Sequence, residues 1–208
     1  MIVSTTIEFY RHAHSTKNDP AIVGGRSQGA TLSAEGRGQA LQLNAYLLRQ
    51  RRPFAALYTS QAIRAIQTAT SATRGLNIPS IIELAGLNEL SQGVLEGKPR
   101  LANFVPMTNR DPDYRAEKGQ SIREVGHDMQ NALRHIGDQH PNSTVMVVGH
   151  AIALRCFLTD LEGYNPTTIR ATIQRIFSKK VPYCSQTTFI YKKGRFTVAE
   201  CAVPTIKV

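Results

Sequence analysis

The 208-residue sequence predicts an α/β fold: a three-layer sandwich with a mostly parallel central sheet and helices on both faces. Three observations carry this. Short β-branched and aromatic runs alternate with helical repeats along the chain. Val145, Met146, Val147 and Val148 form an uninterrupted apolar run, as in a strand covered on both faces. Ile122, Val125, Met129, Leu133 and Ile136 recur at helical spacing and make the clearest amphipathic helix.

The elements follow in order. Thr6 to Tyr10 reads as a first strand, with Phe9 and Tyr10 as core residues, and a polar, Gly-rich stretch runs on to Thr31. Ser33 then has the character of an N-cap, with Glu35 where the helix dipole favours an acid. Ala40, Leu43 and Leu47 carry that helix to about Gln50, and Pro53 stops it. Phe54 to Tyr58 is a second strand. Ser60 is placed to cap the next helix, whose face is Ala62, Ile66, Ala69 and Thr73, with Gly75 and Pro79 at its end. Ser80 to Leu84 is a short third strand. Residues 86–118 are irregular, with room for one short helix, and suit a substrate-covering segment. Pro141 and Asn142 close the amphipathic helix, and the strand Val145–Val148 leads into a helix from Ala151 to about Asp160. Thr187–Tyr191 and Arg195–Ala202 read as a hairpin turning at Lys193-Gly194. Neither a repeat nor a linker divides the chain, so residues 1–208 are expected to form one domain.

Composition narrows the function classes. Twenty-five basic against fifteen acidic residues give a net charge of +10, which favours anionic ligands. Nucleic acid is not expected as a partner, because the basic runs are short, Trp is absent and no aromatic-plus-basic ladder occurs. No run reaches the ~18 apolar residues of a membrane span, and the first ten residues lack a signal-peptide pattern. Cys156, Cys184 and Cys201 are odd in number and widely spaced, which favours reduced thiols and a cytoplasmic location.

Ligands of open α/β sheets bind beyond the carboxyl ends of the strands. Arg11 and His12 follow the first strand, Ser60 and Arg64 the second, Glu89 the third, and His150 the strand Val145–Val148. Two arginines and two imidazoles make a pocket for a small tetrahedral dianion, since the guanidinium fork matches phosphoryl oxygens. Neighbouring cations keep an imidazole neutral and nucleophilic. A carboxyl on the far side can protonate a leaving oxygen and then accept a proton from water.

These residues resemble the histidine phosphatase superfamily, also called phosphoglycerate mutase-like, in a small phosphatase-type form. The likeness runs through Arg11-His12-Ala13-His14-Ser15 with Asn18, Gly24-Gly25-Arg26-Ser27, Leu32-Ser33-Ala34-Glu35-Gly36, and Ser60 with Arg64-Ala65 and Gln67-Thr68-Ala69. It continues through Leu87-Asn88-Glu89 with Glu96-Gly97, Gly119-Gln120-Ser121, and Val147-Val148-Gly149-His150 with Arg155. It covers about residues 5–160 in order; beyond 165 it is only a general helix-then-strands ending.

The resemblance implies a phosphoglycerate mutase-like fold. It makes His12 the phosphoryl acceptor and Glu89 the proton donor. Arg11, Arg64 and His150 would hold the equatorial oxygens, with Asn18 and Ala151 as further phosphate contacts. His14, Ser15, Arg26 and Ser60 would form the pocket rim. It implies no metal and no organic cofactor. Ala13 and Ala151 replace glycines usual in the family, and both demand backbone angles that suit an L-residue. His14 replaces a more usual Glu or Gln, and Gln120 a Glu. Glu96 is expected to fix the loop rather than serve as the acid, and His127, His135 and His140 to be structural.

Rival readings remain. His12-x-His14 with Asp19 also opens some binuclear metal sites, but Arg11 and Arg64 would repel cations there. A phosphomutase and a non-catalytic phospholigand-binding member are the others. The expected function is a metal-independent phosphomonoesterase acting on a small phosphorylated metabolite. The expected partners exclude nucleic acid and membrane, with a homodimer left open.

Overall fold

The computed structural model describes residues 3–19, 21–78, 80–101 and 105–206. Among these, six strands form one sheet in the order β3-β2-β4-β1-β5-β6. The strands are β1 (Thr5–Arg11), β2 (Ala56–Thr59), β3 (Ile81–Glu83), β4 (Thr144–Gly149), β5 (Gln186–Lys192) and β6 (Arg195–Val203). The first four are mutually parallel, and the β5–β6 hairpin joins β1 antiparallel. The helices are α1 (Ala34–Gln50), α2 (Ile63–Ala72), α3 (Ile122–Gln139), α4 (Ala151–Glu162) and α5 (Ile169–Ser178).

Period-two alternation on the central strands builds two cores. Ile7, Phe9, Val145 and Val147 face α3, α4 and α5, where Met129, Leu133, Ile136, Phe157 and Ile176 meet them. Tyr10, Met146 and Val148 face the other way, onto Leu43 and Leu47 of α1 and Ala65 and Ala69 of α2. Leu133 is fully buried, so truncating it to Ala should cost about 2–5 kcal/mol.

Local chemistry sets the helix ends. Ser33 accepts the Gly36 N–H at α1, and Ser121 with Glu124 forms a reciprocal capping box at α3. Ser60 does not cap α2. Ala62 holds the N-cap position without a side-chain bond, and the Ser60 hydroxyl turns to His150 instead. The face of α2 is set by Ala65, Ala69 and Ala72 rather than by Ile66 and Thr73. Pro79, expected to punctuate that helix, and residues 102–104 of the irregular segment lie outside the described residues. The rest of that segment contains three short 3-10 turns rather than one helix: Ala85–Leu87, Gly93–Leu95 and Met107–Asn109.

Register brings the chemistry together. Arg11 pairs with Gly149, and Thr59 pairs with both Val148 and Glu83. The parallel strands therefore end at one level, and His12, Ser60 and His150 emerge side by side. No helix among the described residues is long and apolar enough to cross a membrane.

Candidate active site

A cavity of about 330 Å³ opens at that edge. Arg11, His12, Ser15, Asn18, Arg64, Glu89 and Ala151 line it, joined by Lys17, Arg100, Arg155 and Tyr183. His12 is almost fully buried, and its Nδ1 lies 2.6 Å from the Ala13 carbonyl. A carbonyl only accepts, so Nδ1 carries the proton and Nε2 keeps the free lone pair. Burial, then Arg64 and Arg11, hold this imidazole well below its ordinary pKa. It is a neutral base with a directed lone pair beside two guanidinium groups.

His150 is fully buried at the N-terminus of α4, its ring centroid 5.0 Å from that of His12. Its Nδ1 lies 3.3 Å from Arg64 Nη2, and its Nε2 lies 2.7 Å from the Ser60 hydroxyl. Guanidinium only donates, so Nδ1 accepts and Nε2–H donates to Ser60. Burial first, then Arg64 and His12, depress its pKa as well. Both ring nitrogens are engaged, and the ring backs Arg64 and His12 without lining the cavity.

The arginines are held from outside. Arg64 Nη1 donates to the Ser27 carbonyl at 2.6 Å. Arg11 Nη1 donates to the Val181 carbonyl at 2.5 Å, and its guanidinium lies 3.8 Å over the Tyr183 ring. Burial lowers both arginine pKa values, and Glu89 opposes the shift at each. Glu89 spans the gap between its own loop and α4. It accepts from Leu90 N–H at 3.0 Å, Ala153 N–H at 2.8 Å and Ile152 N–H at 3.3 Å. An acid at a helix N-terminus is electrostatically at home there.

Asn18 lines the cavity with its carbonyl oxygen committed to Ser15, accepting from both its N–H and its hydroxyl. Three expected rim residues do not line the cavity, and each is bonded to a partner outside it. His14 Nδ1 pairs with the Ser33 hydroxyl at 2.8 Å. Arg26 binds the Glu89 carbonyl and the Gln120 side chain, and so anchors the Glu89 loop. Ser60 serves His150. Glu96 fixes the loop, accepting from the N–H groups of Arg26, Ser27 and Gln92. Burial alone would raise its carboxyl, but those N–H groups and Lys17 outweigh it and bring it below the usual value. Gly25 allows that approach, since a Cβ there would sit 2.2 Å from the Glu96 carboxylate.

The model of the histidine phosphatase superfamily (branch 1) matches residues 7–203. The chain belongs to that superfamily. It is 28% identical over 146 residues to the uncharacterized phosphatase PhoE of Bacillus subtilis, covering 68% of this chain and 71% of that protein. It is 29% identical over 167 residues to the probable phosphoglycerate mutase GpmB of Yersinia enterocolitica, covering 75% and 74%. The solved structure of YhfR from Bacillus stearothermophilus superposes with a TM-score of 0.81 at 27% identity, covering 98% of this chain and all of that one.

In this superfamily member the two alanines that replace glycines fit their backbone. Neither Ala13 nor Ala151 adopts a positive φ. The Ala13 N–H donates to Thr68 Oγ1 at 3.0 Å. Gln120, in the place of an acid, bonds Arg26 and Asp128 and so belongs to the Glu89 loop anchor. His127 and His140 pair with Asp160 and Tyr58, away from the cavity. Lys17, Arg100 and Tyr183 were not among the expected site residues, and Arg155 entered only through its motif. A signal for Tyr183 exists in topology. A strand antiparallel to β1 begins at the level where β1 ends, so the residues just before β5 must border the site. Among the described residues, no cluster of three or more His, Cys, Asp or Glu is placed to hold a metal ion.

Proposed function

We propose that this protein is a metal-independent phosphomonoesterase that works through a phosphohistidine on His12. The observation that supports it is the His12 tautomer: Nδ1–H tied to a carbonyl, with Nε2 free beside Arg11 and Arg64. The Nε2 lone pair attacks phosphorus and the P–O ester bond breaks. Glu89 gives its proton to the departing oxygen. Arg11, Arg64 and the N-terminus of α4 at Ala151 hold the charge on the equatorial oxygens. Glu89, now a carboxylate, takes a proton from water. The resulting hydroxide attacks phosphorus, the P–N bond breaks, and phosphate leaves neutral His12. His150 keeps Arg64 aimed by accepting its Nη2–H.

The likeness to a probable mutase favours one second reading, phosphoryl transfer to another hydroxyl of the substrate. Product analysis with a phosphoglycerate separates the two, since a phosphatase releases inorganic phosphate and a mutase an isomer. The direct test is a screen of phosphorylated metabolites in EDTA. Phosphate release that is blocked by vanadate supports the proposal. Activity lost in EDTA and restored by zinc or manganese contradicts it.

A further inference from the structure

A second cavity, of about 460 Å³, adjoins the site, and Arg155 lines both. Its floor is apolar, with Leu158, Ile176, Val181 and Val198, and Lys179 and Lys180 stand at its rim. Arg155 donates to the Lys179 carbonyl, while its buried Nε has no hydrogen-bond partner among the described residues. Among the described residues no ion pair to a carboxylate engages Arg155, Lys179 or Lys180, whereas Arg175 and Glu162, which also line the cavity, pair with each other. This is a largely apolar trough with cations at its rim, and it shares the Arg155 side chain with the phosphate pocket.

Resting on the phosphomonoesterase reading, we infer that the second cavity is the leaving-group site and that the substrate is a phosphate ester of an amphipathic alcohol bearing a second anionic group. The ester phosphate sits on Arg11 and Arg64. The chain passes Arg155 and lies on the apolar floor. Its anionic end meets Lys179 and Lys180. A neutral polar alcohol such as a short polyol would leave the apolar floor exposed to water and those cations unmatched.

A series of ω-carboxyalkyl phosphates of increasing length tests this in EDTA, with p-nitrophenyl phosphate as the reference. In the native protein kcat/KM should rise by up to about fourfold per added methylene until the floor is filled. The terminal carboxylate should beat a terminal hydroxyl of equal length by about tenfold, the scale of a charge-assisted contact. Cys201 is exposed and also lines this cavity. Cys201→Trp should fill it, flatten the length series and leave p-nitrophenyl phosphate hydrolysis unchanged. A flat series in the native protein, or an undiminished slope in the variant, overturns the inference. A second measurement does not depend on turnover or on the variant. The matching non-hydrolysable ω-carboxyalkyl phosphonate should protect Cys201 in the native protein from maleimide alkylation, whereas methylphosphonate should not. Equal alkylation with both phosphonates contradicts the inference, even if no ester is hydrolysed and the catalytic reading itself falls.

Discussion

The parallel half of the sheet and the antiparallel hairpin meet at one cavity but contribute in opposite ways. The parallel strands lead into segments that present the reacting groups: His12 after β1, Arg64 beyond β2, Glu89 beyond β3, with His150 after β4 holding Arg64 in place. The hairpin contributes no such group. The segment leading into β5 instead grips Arg11, through the Val181 carbonyl and the Tyr183 ring, and the Cys184 N–H donates to the Arg11 carbonyl at 3.0 Å. Chemistry is concentrated where strands point toward the ligand, and positioning comes from the strand that runs back. The two halves should therefore respond differently to substitution.

The largest effect is expected in the parallel half. His12→Ala removes the attacking lone pair, and turnover should fall by on the order of 10⁴-fold or more while the fold persists. Steady-state kinetics beside a circular dichroism spectrum checks it. Turnover near the native value would move the nucleophile elsewhere.

Glu89→Gln comes next. An alkyl oxygen needs a proton to leave, and general acid catalysis is worth about 10²–10⁴-fold, so the burst rate with an alkyl phosphate should drop in that range. A nitrophenolate leaves unaided, so its burst should slow far less. Equal burst losses for both esters would remove Glu89 from the donor role.

The hairpin half should respond more gently and in a graded way. Tyr183→Ala takes away the ring under Arg11, a contact worth about 0.5–2 kcal/mol, and should lower kcat/KM by about 2- to 30-fold. Tyr183→Phe keeps the ring and should restore most of the loss. A Phe variant as damaged as the Ala variant would show that the hydroxyl matters and the stacking does not.

The last effect falls on stability against pH rather than on turnover. His12 and His150 have folded pKa values depressed below 6.5, so the unfolded chain binds protons first as pH falls. Their stabilising contribution is complete above about pH 6.5. It is lost downward toward the folded pKa values, with a slope of up to about 1.4 kcal/mol per pH unit for each ring. Urea melts at pH 7 and 5.5 should show the decline, and His150→Asn should reduce its slope. Identical slopes would mean that His150 is not held neutral in the folded protein.

Much of this architecture was readable from residues alone, for identifiable reasons. The run Val145–Val148 could only be a strand covered on both sides, and the Ile122–Ile136 repeat could only bury one helix face. Arg11, His12, Arg64, Glu89 and Ala151 were readable because each follows a strand or opens a helix, where local sequence dictates direction. Helix α5 was not placed: Thr168 offers no side-chain cap, and half its residues are polar. His14, Arg26 and Ser60 were assigned to the rim through the motifs of the resemblance. Their orientations depend on Ser33, Gln120 and His150, partners up to about ninety residues away in sequence. Tyr183 needed the β1–β5 pairing before its place could be known.

The most direct test of the central claim is rapid quench with a labelled phosphate ester, followed by mapping of the bound label. The account predicts acid-labile, base-stable phosphate on His12 within the first turnover, absent from the His12→Ala variant. Label on another residue, or full turnover with no covalent phosphate at any time point, would contradict it.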